Sequence, residues 1–481
     1  MSTHSQHSSR PRGRPRKSAT EKINIHGLDV SELLAIYRNM FMSREIDDEE
    51  IRLKTKGQIF FQINGCGHEA INTALGMVLE PGRDWFFPYY RDRALMLKLG
   101  LTPVEMFKSA TAARDEPAGA GRQMPSHWGS ERLQVVNQSS CTGSQCLHAV
   151  GCAEAWSKGL DNESLRDRMR NWSEGEIAFV SIGEGGTSEG EFWESLNTAC
   201  TLALPVLFVV EDNGYAISVP VEVNTPGGSI SKLVLGFPGL DVHEVDGCDP
   251  LACYSLLQSV VADMRTGNGP ALVHAHVVRP YSHSLSDDER AYRSAAEREE
   301  EALRDPLHVY PEFLKEEGIA DEATLEQIRE EVRAEVRAAS DEALTVPQAD
   351  PETVLDHVYS MDVDPTCSDF ETEPSPVDGA QPTTMVDLIN SALRDEMRRD
   401  PTIHIFGQDI ADASRAEVLD EVKGKGGVFK VTAGLQREFG SQRVYNSPLA
   451  EANIIGRAIG MALRGLKPVV EIQFLDYIWP A

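Results

Sequence analysis

The chain has 481 residues, 41% of them hydrophobic and 25% charged, and a net charge of −29. That length is too great for one hydrophobic core and predicts two or three domains of a soluble, globular kind. The acidic balance argues against a nucleic-acid-binding body, and the absence of a long apolar run argues against a membrane span or a secretory signal.

Residues 1–24 read as a disordered basic tail. Within it, residues 10–17 (RPRGRPRK) are similar to an AT-hook, an arm that lies in the minor groove of A·T-rich DNA. In so acidic a protein a solvated arm is the plainer reading, and nucleic acid is not expected as a partner.

Residues 25–340 read as one domain. Leu33, Leu34, Ile36, Tyr37 and Met40 recur at helical spacing near its start. From Glu176 onward, short apolar runs ("EIAFVSI", "PVLFVVE", "ALVHAHVV") are separated by Gly, Pro and Asp. Strands alternating with helices predict an α/β fold, a parallel sheet with helices on both faces. Leu325, Ile328, Val332 and Val336 mark one apolar stripe of an exposed helix. Residues 341–380 are acidic and Pro-rich and read as a linker. Residues 381–481 begin a second, partial α/β domain. The eight cysteines form no C-x-x-C pair, which predicts reduced thiols in a cytoplasmic protein.

"GEGGTSEGEFW" (183–193) raises a question of charge. A Gly turn between a strand and a helix suits phosphate, yet carboxylates beside it would repel phosphate. A divalent cation between them removes the conflict. Mg²⁺ takes hard oxygen ligands and commonly joins protein carboxylates to phosphates. Glu184 can supply a carboxylate oxygen, Asn213 an amide oxygen, and the turn after Asn213 a carbonyl. Their separation of roughly thirty residues is the span of one βαβ unit. Ser188 and Glu191 have capping-box spacing, which places a helix start near Ser188. Glu189, Glu191 and Glu194 read as cap and surface.

The pair "GEG…EDNGYAIS" resembles the thiamin diphosphate signature of 2-oxo acid dehydrogenase E1 components, α-type chain. "FFQINGCGHEA", "YYRDRA", "GRQMPSHWGS", "SSCTGSQ" and "RPYSHSLSDDERAYR" are similar to further α-type segments in the same order. Beyond the linker, "IFGQDIAD", "GGVFKVTAGL", "NSPLAEANIIGRAIGMA" and "EIQFLDYIWPA" resemble the start of the β-type chain. The resemblance thus implies fused α-type and β-type parts, and "GRQMPSH" with GEG favours the branched-chain type.

By that resemblance, thiamin diphosphate and Mg²⁺ are the cofactors, and K⁺ is a further candidate. Glu184, Asn213 and the Tyr215 carbonyl would bind Mg²⁺. Tyr90, Arg91, Gly185 and Gly186 would hold the diphosphate. Ser140 and Thr142 would contact the cofactor, and Ser139, Ser144 and Gln145 fall where relatives bind K⁺. His283 would assist acyl transfer, as a group titrating near neutral pH suits. Its neighbour Ser284 matches a phosphorylation site of some animal relatives. Glu451 would face N1′ of the aminopyrimidine, with Gln473 and Tyr477 lining the same pocket. Two positions depart from the animal enzymes: Glu211 stands near where they carry an Arg on the diphosphate, and Thr142 where they carry a Leu.

The implied activity is oxidative decarboxylation of 3-methyl-2-oxobutanoate with acyl transfer to a lipoylated E2 acyltransferase; pyruvate or acetoin is the alternative substrate. The β-type part reads as incomplete at Ala481, so the chain alone is expected to be inactive. A complete form is expected to be a homodimer with each site built across two chains.

Overall fold

The computed structural model describes residues 24–359, 362–364, 366–371, 378–379 and 381–481. Nearly all of the basic tail, with its hook-like stretch, lies outside the described residues. A five-stranded parallel sheet organises the first part of the chain. Its strands are β1 (Trp85–Phe87), β2 (Ala178–Gly183), β3 (Val206–Asp212), β6 (Asp241–Asp246) and β7 (Ala271–His276), in the order β1-β2-β3-β7-β6. A two-stranded hairpin, β4 (Tyr215–Ala216) with β5 (Val219–Pro220), follows β3.

The three apolar runs expected as strands are β2, β3 and β7. Side chains alternate across a strand, and here both faces are covered. Phe179, Leu207, Val209 and Val273 enter one core, while Val180, Ile182, Phe208, Val210 and Leu272 enter another. Continuous apolar strands are the consequence of two buried faces. β6 escaped the sequence reading because it is an edge strand: "DVHEVD" carries three exposed acidic residues, Asp241, Glu244 and Asp246, with side chains 48–58% accessible.

The helices that matter for the site are α1 (Val30–Thr55), α2 (Glu69–Val78), α3 (Ser144–Gly159), α4 (Gly190–Leu202), α5 (Pro250–Met264) and α6 (Glu322–Leu344). α1 opens on a complete capping box, Asp29 with Glu32. α6 has the single apolar stripe its pattern predicts: Leu325, Val332 and Val336 are buried against α1, while the opposite face is exposed. The predicted Ser188–Glu191 capping box does not form. A 3-10 turn occupies Glu184–Ser188, α4 starts at Gly190, and the Ser188 hydroxyl donates to the Asn224 carbonyl instead.

Between Leu344 and Met385 the described residues form only 3-10 turns, Pro351–Leu355 and Ser368–Phe370. The second part then builds α7 (Met385–Arg399), β8 (Ile403–Gly407), β9 (Val444–Asn446), α8 (Glu451–Leu463) and β10 (Lys467–Glu471). Its strands are parallel in the order β10-β8-β9.

The two parts are joined by more than the linker, because α8 lies directly on α3. Glycines let the backbones touch: a Cβ on Gly151 would sit 2.0 Å from the Arg457 carbonyl oxygen, and one on Gly460 would sit 2.1 Å from that of His148. Buried ion pairs flank this seam, Arg457 with Glu154 at 2.8 Å and Arg464 with Glu176. Glu194, expected at the surface, accepts from the Asn453 backbone N–H at 2.9 Å. It thereby places a carboxylate at the N-terminus of α8, the favourable end of the helix dipole.

Candidate active site

In a parallel sheet, ligands bind where the strands end at their carboxyl side. Gly183 closes β2 opposite Glu211 of β3, so the Gly turn and the Asp212–Gly214 turn emerge side by side. Between them lies a cavity of about 350 Å³. It is lined by ten of the residues singled out in the sequence: Tyr90, Arg91, Thr142, Gln145, Glu184, Gly185, Gly186, Asn213, Tyr215 and His283.

Glu184 is almost wholly buried. Its Oε2 accepts from the Asn213 backbone N–H at 3.3 Å, while Oε1 has no hydrogen-bond partner. Burial, with the negative charge of Asp212 behind it, pushes this carboxyl up to about 7. An unpartnered, buried carboxylate oxygen is costly unless a cation or proton meets it. Arg91 is equally enclosed, and its Nε is likewise unpartnered. One side of its guanidinium is spent on the Asn64 carbonyl at 2.6 Å, and the other on the carbonyl and Nδ1 of His283 at 3.2 and 3.1 Å. The glycines are steric necessities. A Cβ at Gly185 would lie 2.4 Å from that of Ala216, and one at Gly186 would lie 2.6 Å from Ile182 Cγ1.

His283 departs from expectation in its charge. Burial, together with the Arg91 and Arg279 cations, lowers it to about 4 against the pull of Asp287, so the ring is neutral at neutral pH. Because Arg91 donates to Nδ1, the neutral ring carries its proton on Nε2.

Sequence reading assigned no role to His68, which the structure places under the turn. Its Nδ1 meets Glu211 and its Nε2 meets the Asn213 Nδ2 at 3.3 Å. Nδ1–H donates to the carboxylate, so Nε2 accepts from the Asn213 amide. That bond fixes the flip of Asn213 and leaves Oδ1, which also accepts from the Tyr215 N–H at 3.3 Å, as its free oxygen. Only a flanking Gly67 and Glu69 signalled this His, and neither says what it faces.

Glu211 is not a diphosphate contact in any form. It is fully buried beneath the cavity, against His68 and Asn72 and close to Asp92. Burial pushes Glu211 up to about 7 and raises Asp92 well above the carboxylate range. Other expected residues lie outside the lining. The Ser139 hydroxyl accepts from the Cys141 N–H, Ser144 donates to the Cys141 carbonyl, and Ser140 pairs with His127 Nε2 at 2.7 Å. Glu451, Gln473 and Tyr477 do not line the cavity either. The seam with α3 carries the start of α8 to the flank of α4, where Glu451 faces Glu194, and Tyr477 is 43% exposed beyond β10. Glu189, read as surface, does line it.

Residues 37–352 match the family model described as Dehydrogenase E1 component, and residues 381–481 the model Transketolase, pyrimidine binding domain. Over 342 residues the chain is 35% identical to 2-oxoisovalerate dehydrogenase subunit alpha of Bacillus subtilis, covering 71% of this chain and 99% of the relative. It is 32% identical to 3-methyl-2-oxobutanoate dehydrogenase subunit alpha of Mycobacterium tuberculosis, covering 68% and 82%. Pyruvate dehydrogenase E1 component subunit alpha of Staphylococcus aureus is 28% identical, covering 70% and 84%.

Proposed function

The chain belongs to the dehydrogenase E1 component family, with a transketolase-type pyrimidine-binding domain behind it, and from that premise we propose an E1 component that decarboxylates 3-methyl-2-oxobutanoate and passes the acyl group to a lipoylated E2. The observation that carries this reading is the unpartnered Glu184 Oε1 beside Asn213 and Arg91, in a glycine-walled cavity at two adjacent strand ends. Those donors fit Mg²⁺ and a diphosphate: two hard oxygens for the metal, a guanidinium N–H for the phosphate, and no room taken up by Cβ atoms. K⁺ at the 139–145 turn would draw on the Ser139 and Ser144 hydroxyls and the Gln145 amide oxygen.

Thiamin diphosphate, when bound, supplies the carbon nucleophile and the electron sink for losing CO₂ from a 2-oxo acid. His68 holds the Asn213 oxygen toward the metal position. Arg91 would bind anion through Nε and orients His283 through Nη2. His283 presents Nε2–H as a donor, suited to hold an oxygen of substrate or acyl product. Glu451, which faces away from the cavity of its own chain, would serve the site of a second copy.

The substrate assignment draws on the relatives, those named for 2-oxoisovalerate or 3-methyl-2-oxobutanoate being 35% and 32% identical against 28% for the pyruvate-named one. Calorimetry of thiamin diphosphate binding with Mg²⁺ tests the site: Glu184→Ala should abolish metal-linked binding that Glu222→Ala, at an exposed position outside the cavity lining, keeps. In an assembled complex kcat/KM should favour 3-methyl-2-oxobutanoate over pyruvate, by a modest factor, since a methylene in an apolar pocket is worth about 1–3 kcal/mol. A preference for pyruvate would transfer the assignment to the alternative substrate.

A further inference from the structure

Beside the cavity, toward the sheet edge, Asp212 of β3 and His274 and His276 of β7 each bring one ligand atom to within 4.8 Å of the others. The register makes this so. Asp212 is paired with His276, His274 is paired with Glu244 of β6, and residues two apart on β7 share a face. We infer that Asp212, His274 and His276 form a second metal site, for a transition ion of the Zn²⁺ class, distinct from the Mg²⁺ position at Glu184.

The hydrogen-bond pattern supports it. The Ser231 hydroxyl lies 2.6 Å from Glu244 Oε1, 2.9 Å from the Ser229 hydroxyl and 3.0 Å from His274 Nδ1, and has one hydrogen to share among them. With that hydrogen on Glu244, His274 Nδ1–H donates to Ser231 and the ring turns its Nε2 lone pair toward Asp212 Oδ2, 2.9 Å away, at a fully buried imidazole. That arrangement offers both atoms to a metal ion, which would also engage His276, whose ring centroid is only 4.2 Å from that of His274.

The donor set decides the class of ion. Two imidazoles with one carboxylate suit Zn²⁺ and its neighbours in the first transition row, whereas Mg²⁺ asks for oxygens alone. Three protein ligands leave the fourth position of such an ion to water, and 3.3 Å from His276 Nε2 stands Glu244 Oε2, beside the set. Their side chains are 42% and 48% exposed, which leaves an entry path. Asp212 Oδ1 accepts from the Gly214 N–H at 2.8 Å, so an ion on Oδ2 would tie β3 and β7 together and brace the turn that carries Asn213.

The test uses the full chain, stripped with chelator and free of thiamin diphosphate, titrated with Co²⁺ and then Zn²⁺ in excess Mg²⁺. Wild type should bind one equivalent of Co²⁺ with a visible absorption band that Zn²⁺ removes. His276→Gln, at a half-exposed position where folding is safe, should bind at least about tenfold more weakly. His274→Gln should do the same, while Glu184→Ala should retain the band. Equal binding by wild type and His276→Gln would place the metal on other histidines of the thirteen in the chain and overturn the site. Loss of the band in Glu184→Ala would make it the cofactor metal, and no stoichiometric binding at all would overturn the site and leave Asp212 and His274 as a hydrogen-bonded pair only.

Discussion

His283 sits on a polar loop yet is held neutral by burial and by two neighbouring cations. Its unfolded imidazole titrates near 6.5, and in the fold it falls to about 4, from burial first and then Arg91 and Arg279. The linkage has a definite sign. Above the unfolded value both states are neutral and the group contributes nothing to pH dependence. As pH falls from 6.5 toward 4, the unfolded chain takes up a proton that the folded chain refuses, and stability is lost. Because the ring is only part-buried, the loss should be on the order of 1–3 kcal/mol. His283→Asn should melt with wild type at about pH 7 and resist acid better at about pH 5. Parallel melting curves for the two proteins across that range would remove His283 as the source.

At the scale of elements, the α3–α8 seam is a contact between backbones. A methyl on Gly460 would meet the His148 carbonyl at 2.1 Å and the Cys152 nitrogen at 2.7 Å, and neither can rotate away. Gly460→Ala should therefore destabilise by about 1–3 kcal/mol, the usual cost of overfilling a packed contact. Gly190, at the first position of α4, has nothing within 4 Å of an added Cβ. Gly190→Ala should be neutral or slightly stabilising, since Ala is the better helix former. Urea midpoints for the two variants make the comparison; equal shifts would mean that the seam yields more readily than its geometry indicates.

For the whole molecule, the seam changes what cutting the linker should do. Leu355 and Tyr359 are 76% exposed, and the segment around them has few packed contacts. Limited chymotrypsin treatment should cut there first. The fragments should nonetheless co-elute on gel filtration, held by the glycine contacts and by the buried Arg457–Glu154 and Arg464–Glu176 pairs. Removing one partner of such a pair leaves a buried charge, typically worth 3–5 kcal/mol. Glu176→Ala should thus let the nicked halves separate, and separation of the nicked wild type would contradict the docking.

Local rules act over a few residues, and what they control was legible in the sequence. The apolar runs of β2, β3 and β7 announced buried strands, and "GEGG" with "EDNG" announced two turns at one sheet edge because a parallel βαβ unit returns its strands in the same direction. Of sixteen site residues named from motifs, ten line one cavity and six, Ser139, Ser140, Ser144, Glu451, Gln473 and Tyr477, do not. What the fold alone decided is where side chains point once distant segments meet. Glu211 follows β3 into the core and finds His68 and Asp92, each more than a hundred residues away in sequence. His283 is neutral because packing buries it and brings Arg91 against it, with Arg279 from its own segment, and no local pattern encodes that burial or the charge arriving from a distant segment. Glu451 opens a helix as its sequence suggests, but the glycine seam carries that helix to the flank of α4 and away from the cavity of its own chain. Hydrophobic periodicity sets which face of an element is buried; the partner that buries it, and the fields that partner brings, exist only after the chain has packed.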